Sequence, residues 1–175
     1  MEKKRTLPRD VPSRDDYYMG MAFMVSRKSK DPSTQMGAYI ITPENEPVGW
    51  GYNGPPGNVD DHLVNWDRPD KYDFIIHAEE NAMWNADKPT KGCTLYVTGK
   101  PCKNCMLRIA RAKICRVVYF PHKPKDVNSM FNNEMIMDRT DEIASMWRVK
   151  LEVFEGNLNW MRDDMIKLSE LGIFG

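Results

Sequence analysis

Two short stretches, His77-Ala78-Glu79 and Pro101-Cys102-Lys103-Asn104-Cys105, decide how this chain folds and what chemistry it can carry. Together they offer one imidazole, two thiols and a further carboxyl group. One histidine and two cysteines can bind Zn²⁺ in a tetrahedral site and leave its fourth position open to water, as catalytic zinc sites do. The predicted zinc ligands are His77, Cys102 and Cys105.

The spacing of these residues predicts that they meet at the starts of two helices. The two cysteines are three residues apart, so both lie on one face if they occupy the first turn of a helix. Pro101 is favourable at such a start, and His77 comes just ahead of another predicted helix. The positive end of the helix that carries the cysteines favours the thiolate forms that bind metal. Glu79 can face the same cavity without binding the metal and carry protons there.

A Cys-x-x-Cys pair on its own is more typical of a structural zinc site or a redox dithiol. A closed structural site needs a fourth ligand, and four residues could supply it in principle: His62, Cys93, Cys115 and His122. None of them has the paired spacing of a zinc finger. Cys93 and Cys115 each border a predicted strand, and we expect both to be small core residues.

Composition favours one domain and a small ligand. The chain has 175 residues, with 25 basic and 25 acidic side chains and a pI near 6.8. This balance leaves no bulk positive field to attract nucleic acid. The four cysteines are predicted to be reduced or metal-bound, because a chain of this length does not need disulfides. No apolar run approaches the roughly 18 residues of a membrane span, so we expect a cytoplasmic protein.

Hydrophobic periodicity and turn residues predict an α/β fold. We expect a flexible lead-in over 1–12 and a single domain over 13–175. The predicted helices are 13–29, 78–86, 102–112 and 158–171, and the predicted strands are 37–42, 48–52, 94–98, 116–120 and 149–154. The first two strands form a hairpin and the others alternate with helices, so the sheet is mixed. The loop 53–73 exceeds a plain connection and is a candidate binding loop, whereas 121–140 has no assignment.

Several segments beyond the two motifs are similar to one family of enzymes. They lie between residues 17 and 120, in order and at similar spacing: 18–23, 29–38, 51–54, 77–82 and 91–97. Together with His-x-Glu and Pro-Cys-x-x-Cys, they make the chain resemble the cytidine and deoxycytidylate deaminase superfamily, and the deoxycytidylate deaminases in particular.

The resemblance implies a three-layer α/β/α sandwich around a mixed five-stranded sheet, with Zn²⁺ as cofactor and Glu79 as proton shuttle. The implied reaction is the hydrolytic deamination of a free deoxycytidine nucleotide, above all dCMP to dUMP and ammonia. The family also assembles as homo-oligomers, commonly hexamers. The resemblance further implies that Asn53 reaches the sugar or base and that the backbone of Ala78 lies near the base. From the sequence alone, Asn53 could equally be a turn residue that tolerates unusual dihedral angles.

A nucleotide substrate needs donors for its phosphate. The basic cluster at the end of the first predicted helix, with the hydroxyl of Thr34 close by, is the candidate; its cations are Arg27, Lys28 and Lys30. The similarity to the family's Ser-Lys-Asp-Pro segment supports this role. The alternative is structural, because cations in a last helical turn complement the negative end of the macrodipole.

The sequence is also compatible with other functions. The substrate could carry more phosphates, as dCTP does, or could be a base in tRNA or single-stranded DNA that is flipped into the site. The balanced charge argues against a nucleic-acid substrate. A catalytically idle protein that keeps zinc for stability and binds a partner is a third possibility, and Glu79 argues against it because a structural site has no use for that carboxyl.

Overall fold

A mixed five-stranded sheet forms the centre of the computed structural model, which describes residues 10–57, 59–121 and 139–173. The strand order is β2-β1-β3-β4-β5, with β1 antiparallel to β2 and β3, and with β3, β4 and β5 parallel. The strands are β1 (Gly37–Ile41), β2 (Pro47–Tyr52), β3 (Thr94–Val97), β4 (Arg116–Tyr119) and β5 (Lys150–Val153). The predicted fold class, an α/β fold with a mixed five-stranded sheet, is confirmed.

Helices cover both faces of this sheet. They are α1 (Arg14–Ser26), α2 (Ala78–Trp84), α3 (Lys103–Arg111), α4 (Thr140–Met146) and α5 (Asn159–Glu170). One apolar cluster joins α2, α3 and α4 to the sheet, and a second joins α1 to the other face. Helix α5 lies against α1, where the Trp160 ring stacks on Tyr17 with centroids 5.8 Å apart. The arrangement is the expected three-layer sandwich.

Strand β1 shows why the layers form. Successive side chains in a strand point to opposite faces, so Ala38 and Ile40 belong to one apolar cluster while Tyr39 and Ile41 belong to the other. All five residues of the strand are buried. A strand that is apolar at every position is the expected pattern where helices cover both faces.

Two glycines of β2 let α2 lie directly on the sheet. A Cβ added at Gly51 would be 2.3 Å from the backbone nitrogen of Ala82 and 2.7 Å from the carbonyl oxygen of Ala78. A Cβ at Gly49 would be 2.4 Å from the carbonyl oxygen of Ala82. Neither position has room for a side chain. The start of α2, where His77 and Glu79 lie, is therefore positioned by direct backbone contact.

The largest differences from prediction are the end of α1 and the presence of α4. Helix α1 begins as expected after Ser13, whose hydroxyl accepts a hydrogen bond from the Asp16 amide at 3.1 Å. It ends at Ser26 instead of Ser29, and the Ser29 hydroxyl then donates to the carbonyl oxygen of Asn53 at 2.8 Å. Helix α4 was missed, because it is short and only Ile143 and Ala144 contribute apolar side chains to the core.

The structure describes most of the predicted domain but little of the predicted lead-in. Residues 1–9 of the lead-in lie outside the described residues, and the limits of the predicted domain 13–175 stay a prediction. None of the described helices has the length and apolar character that a membrane crossing requires.

Candidate active site

The three predicted metal ligands come together at the starts of α2 and α3. His77 caps α2 and Cys102 caps α3, while Cys105 lies in the first turn of α3. The Nδ1 atom of His77 is 3.3 Å from the Sγ atom of Cys105 and 3.7 Å from that of Cys102. All three ligand atoms lie within 4.8 Å of one another.

These distances fit a zinc ion. Bonds of about 2.3 Å to sulfur and about 2.0 Å to nitrogen in a tetrahedron place the donor atoms about 3.6 Å apart. Among the described residues, the only group of three or more potential ligands is His77, Cys102 and Cys105. Three protein ligands match an open catalytic site better than a closed structural one.

The three side chains share protons through hydrogen bonds, and a bound cation would take the place of these protons. A hydrogen bond from Cys105 lowers the pKa of the Cys102 thiol to about 3, and His77 acts in the same direction. The same contact raises the pKa of Cys105, with burial as a second cause. The bond to Cys102 raises the pKa of His77. One thiolate is thus stabilised by two neighbouring proton donors, at a point where a metal ion could bind both sulfurs.

Glu79 lies beside this group in the first turn of α2 and is only 4% exposed. Burial raises the pKa of its carboxyl group, while the nearby His77 acts in the opposite direction. A carboxyl group whose pKa is raised toward neutrality is suited to both accept and donate a proton. The sequence-based role of Glu79 as a proton carrier is therefore compatible with its surroundings.

A cavity of about 210 Å³ joins this group to the predicted substrate contacts. The predicted residues that line it are Thr34, Asn53, His77, Ala78, Glu79 and Cys102. Cys105 is buried and is not among the residues that line the cavity. Residues from the two motifs and from distant loops thus share one cavity.

The predicted phosphate cations lie elsewhere. Arg27, Lys28 and Lys30 belong to the segment after α1, and none of them is among the residues that line the cavity. Three other cations line the cavity: Arg68, Lys71 and Lys100. The loop 53–73 supplies the first two, which accords with its interpretation as a binding loop. Its length was the available signal, but length does not reveal which side chains turn inward.

Asn53 connects two segments of the cavity wall. Its Nδ2 atom donates to the carbonyl oxygen of Thr34 at 2.9 Å and to Asp31 at 3.3 Å, and its Oδ1 atom accepts from the Met36 amide at 2.7 Å. The described non-glycine residues with positive φ are Asn45, Lys113 and Arg148. The unusual dihedral angles considered for Asn53 are therefore absent, and its amide instead joins β2 to the 31–36 segment.

The remaining cysteines and His62 do not complete a closed site. Cys93 is buried, as predicted, with 1% exposure. The prediction for Cys115 is wrong, because this residue is exposed. Its thiol lies just ahead of β4, 3.1 Å from the carbonyl oxygen of Gly92. His62 lies in a short 3₁₀ turn at the surface, and His122 lies outside the described residues.

An α/β sandwich with an open His–Cys–Cys group at two helix starts defines a zinc-binding class of protein. The family model described as the cytidine and deoxycytidylate deaminase zinc-binding region matches residues 12–121. The chain belongs to this family.

Relatives in the family support the match over different lengths. The deoxycytidylate deaminase of Mus musculus is 41% identical over 118 residues, which are 63% of this chain and 66% of that protein. The chain thus spans slightly less than two thirds of that relative's length. An uncharacterized deaminase of Aliivibrio fischeri is 34% identical over 157 residues, which cover 86% of this chain and 95% of that protein.

A solved structure supports the fold. The dCMP deaminase of the cyanophage S-TIM5 matches with a TM-score of 0.63 and 22% identity, covering 83% of this chain and all of that one. At this identity the likeness concerns the fold alone.

Proposed function

We propose that this chain is a zinc-dependent deaminase of a free deoxycytidine nucleotide, with dCMP as the preferred substrate and dUMP and ammonia as products. The observation that carries the proposal is the buried Glu79 carboxyl in the same cavity as the ligands His77 and Cys102. A metal site kept for stability alone does not need an uncoordinated carboxyl beside it. The relatives named deoxycytidylate deaminase support the choice of substrate.

Each residue of the site has a defined task in this reaction. When bound by His77, Cys102 and Cys105, zinc lowers the pKa of water and so supplies a nucleophile at neutral pH. Glu79 accepts a proton from the attacking water and delivers it to the ring nitrogen N3. It then takes the proton of the new C4 hydroxyl group and delivers it to the departing amino group. Water adds at C4 of cytosine, the bond from C4 to the exocyclic amino nitrogen breaks, and the products are uracil and ammonia.

The nucleotide requires a second set of contacts. Thr34, Arg68 and Lys100 line the cavity and offer hydroxyl, guanidinium and ammonium donors. The Nη2 atom of Arg68 donates to the Thr34 hydroxyl at 3.0 Å, so these two groups already converge. A guanidinium group suits phosphate because it can donate two parallel hydrogen bonds. We infer that this trio receives the phosphate, with Asn53 and the backbone of Ala78 nearer the sugar and base.

The experiment is a substrate series with the zinc-loaded protein. Loss of ultraviolet absorbance and release of ammonia are measured with cytidine, deoxycytidine, dCMP, dCDP, dCTP and deoxyadenylate. We expect the highest kcat/KM for dCMP, together with about one zinc ion per chain. A chelator should abolish activity, and added zinc should restore it.

Three outcomes would contradict the proposal. A zinc-loaded protein that deaminates none of these compounds would be an idle metal-stabilised protein. A higher kcat/KM for dCTP than for dCMP would make a triphosphate the substrate, and salt-sensitive binding of oligonucleotides with deamination of their bases would make it a nucleic acid.

A further inference from the structure

A buried ion pair lies in the wall of the cavity, apart from the metal ligands. The side chains of Lys71 and Asp31 are each 2% exposed. The Lys71 Nζ atom is 2.9 Å and 2.6 Å from the two carboxylate oxygens of Asp31, and 2.5 Å from the Ser33 hydroxyl. Its three N–H donors are thus all used. Since a buried pair often stabilises a fold no better than apolar residues of similar volume, its position beside the cavity points to another role.

Asp31 organises one segment of the wall. Its Oδ1 atom accepts hydrogen bonds from the Ser33 amide at 2.9 Å and from the Thr34 amide at 3.1 Å. Its Oδ2 atom accepts from the Asn53 side chain at 3.3 Å. Burial alone would raise the pKa of this carboxyl group, but Lys71 and the Ser33 and Thr34 donors hold it below its usual value. One charged carboxylate therefore fixes Thr34 and Asn53, both of which line the cavity.

Lys71 connects that segment to the binding loop. It belongs to the short 3₁₀ turn Asp70–Asp73, and its amide donates to the carbonyl oxygen of Asp67 at 3.0 Å. Arg68 and Tyr72, on either side of it in the chain, line the cavity. The Lys71 side chain thus ties the part of the loop that carries Arg68 to the segment that carries Thr34.

We propose that Lys71 is a positioning residue for recognition of the nucleotide phosphate. Through Asp31 it holds Thr34 and Arg68 together, while the ligands and Glu79 are carried by α2 and α3. The inference rests on the proposed function and adds a buried cation whose hydrogen bonds go to Asp31 and Ser33. Loss of Lys71 weakens binding of a nucleotide and leaves the chemical step and the metal site in place.

The test compares a nucleotide with its nucleoside in the full-length, zinc-loaded chain. Lys71→Met removes the charge and keeps much of the volume, and kcat and KM are measured for dCMP and for deoxycytidine. We expect kcat/KM for dCMP to fall about 10- to 100-fold, mainly through KM, because displacing a positioned group by about 1 Å can cost as much as 100-fold. For deoxycytidine we expect a change below about threefold, because Asn53 keeps its bonds to the Thr34 carbonyl oxygen and the Met36 amide, and zinc content is unchanged.

Lys88→Met is the matched control. Lys88 also forms an ion pair, with Glu46 at 2.8 Å, but both partners are more than half exposed and distant from the cavity. The same substitution there should leave both substrates unaffected. Ser33→Ala is a milder second variant, since it removes one partner of Lys71 without leaving a buried charge unpaired, and it should shift the dCMP value in the same direction by a smaller factor.

Binding of the products separates this inference from the proposed function. Calorimetric affinity for dUMP and for deoxyuridine gives the same contrast without turnover, so it can be measured even if the protein proves inactive. Absence of turnover in the wild-type protein would remove the proposed function alone. If Lys71→Met and Ser33→Ala weakened nucleotide and nucleoside equally, in binding and in kcat/KM, Lys71 would be merely structural and the inference would be wrong.

Discussion

The metal group and the nucleotide wall of the cavity are built in opposite ways. The metal group consists of His77, Cys102 and Cys105, which two helix starts bring together. The nucleotide wall, named for the proposed function, consists of Thr34, Asn53, Arg68 and Lys71, which come from the 31–36 segment and from both ends of the loop 53–73, joined by the buried Asp31. Local spacing in the sequence therefore determines the metal group, whereas tertiary contacts between irregular segments determine the wall to which we assign recognition.

The largest expected effect concerns the carboxyl beside the metal group. Glu79→Gln should keep bound zinc and lower kcat by about 100- to 10,000-fold, because an amide cannot carry a proton between water and the substrate. Steady-state kinetics with dCMP, together with zinc analysis, provide the measurement. Glu80→Gln is the control, since Glu80 is the next residue and pairs with Arg108 at 3.1 Å instead. Near-normal turnover of Glu79→Gln would remove this residue from the mechanism.

The second effect concerns the carboxylate that holds the nucleotide wall. Because the folded pKa of Asp31 lies below its usual value, its contribution to stability is present above the unfolded pKa and is lost as pH falls through the folded one. Asp31→Asn should lower the free energy of unfolding by about 3–5 kcal/mol at pH 7, since it leaves Lys71 buried without its counter-charge. The difference from wild type should narrow on acidification below about pH 4.

Urea unfolding at a series of pH values measures that difference. Asp87→Asn is the matched control, because Asp87 lies at the surface and distant from the pair. A gap between wild type and Asp31→Asn that stays constant from about pH 7 to about pH 3 would show that the charge of Asp31 is not what stabilises the wall.

The third effect decides between two groups of cations. Arg68→Met should lower kcat/KM for dCMP by roughly 10- to 100-fold, the cost of a hydrogen bond to a charged group, and leave deoxycytidine almost unchanged. Replacing Arg27, Lys28 and Lys30 together by Ala should change dCMP use by less than about threefold, because these side chains lie outside the cavity. The reverse result would return the phosphate to the end of α1, as the sequence alone suggested.

The smallest effect lies at the border of the metal group. The buried Thr140 hydroxyl donates to the carbonyl oxygen of Pro101 at 3.0 Å, next to the ligand Cys102. Thr140→Val should lower stability by about 1–3 kcal/mol and weaken zinc binding measurably in a chelator competition. Thr90→Val is the control, because Thr90 makes a similar bond to the Ala112 carbonyl at 2.9 Å away from the metal group. Equal zinc affinities in the two variants would contradict a supporting role for α4.

The sequence predicted the parts of the molecule that depend on periodicity and local spacing. All five strands and four of the five described helices follow from apolar patterns and capping residues, with boundaries within a few residues. The ligand group and the buried Glu79 were also found, since motifs at helix starts determine where those side chains lie.

The parts that were missed depend on contacts between distant segments. Lys71 is buried only because Asp31, 40 residues earlier, neutralises it, and no local pattern distinguishes it from a surface lysine. The same holds for Arg68 and Lys100, because no sequence pattern distinguishes a loop cation that lines a cavity from one that faces solvent. Helix α4 escaped prediction because tertiary anchors, such as the bond between Thr140 and Pro101, hold it in place more than its own periodicity does.

The bare backbone of β2 at Gly49 and Gly51 has a wider implication. These residues have no side chain, and yet the start of α2, with His77 and Glu79, packs directly on their backbone. A single methyl group added at Gly51 would clash with the backbone of α2 and displace His77 and Glu79 from the thiols on α3, although no reactive atom would change. Substitutions in this strand can therefore abolish activity by displacing α2. A survey of variants limited to polar side chains would overlook them.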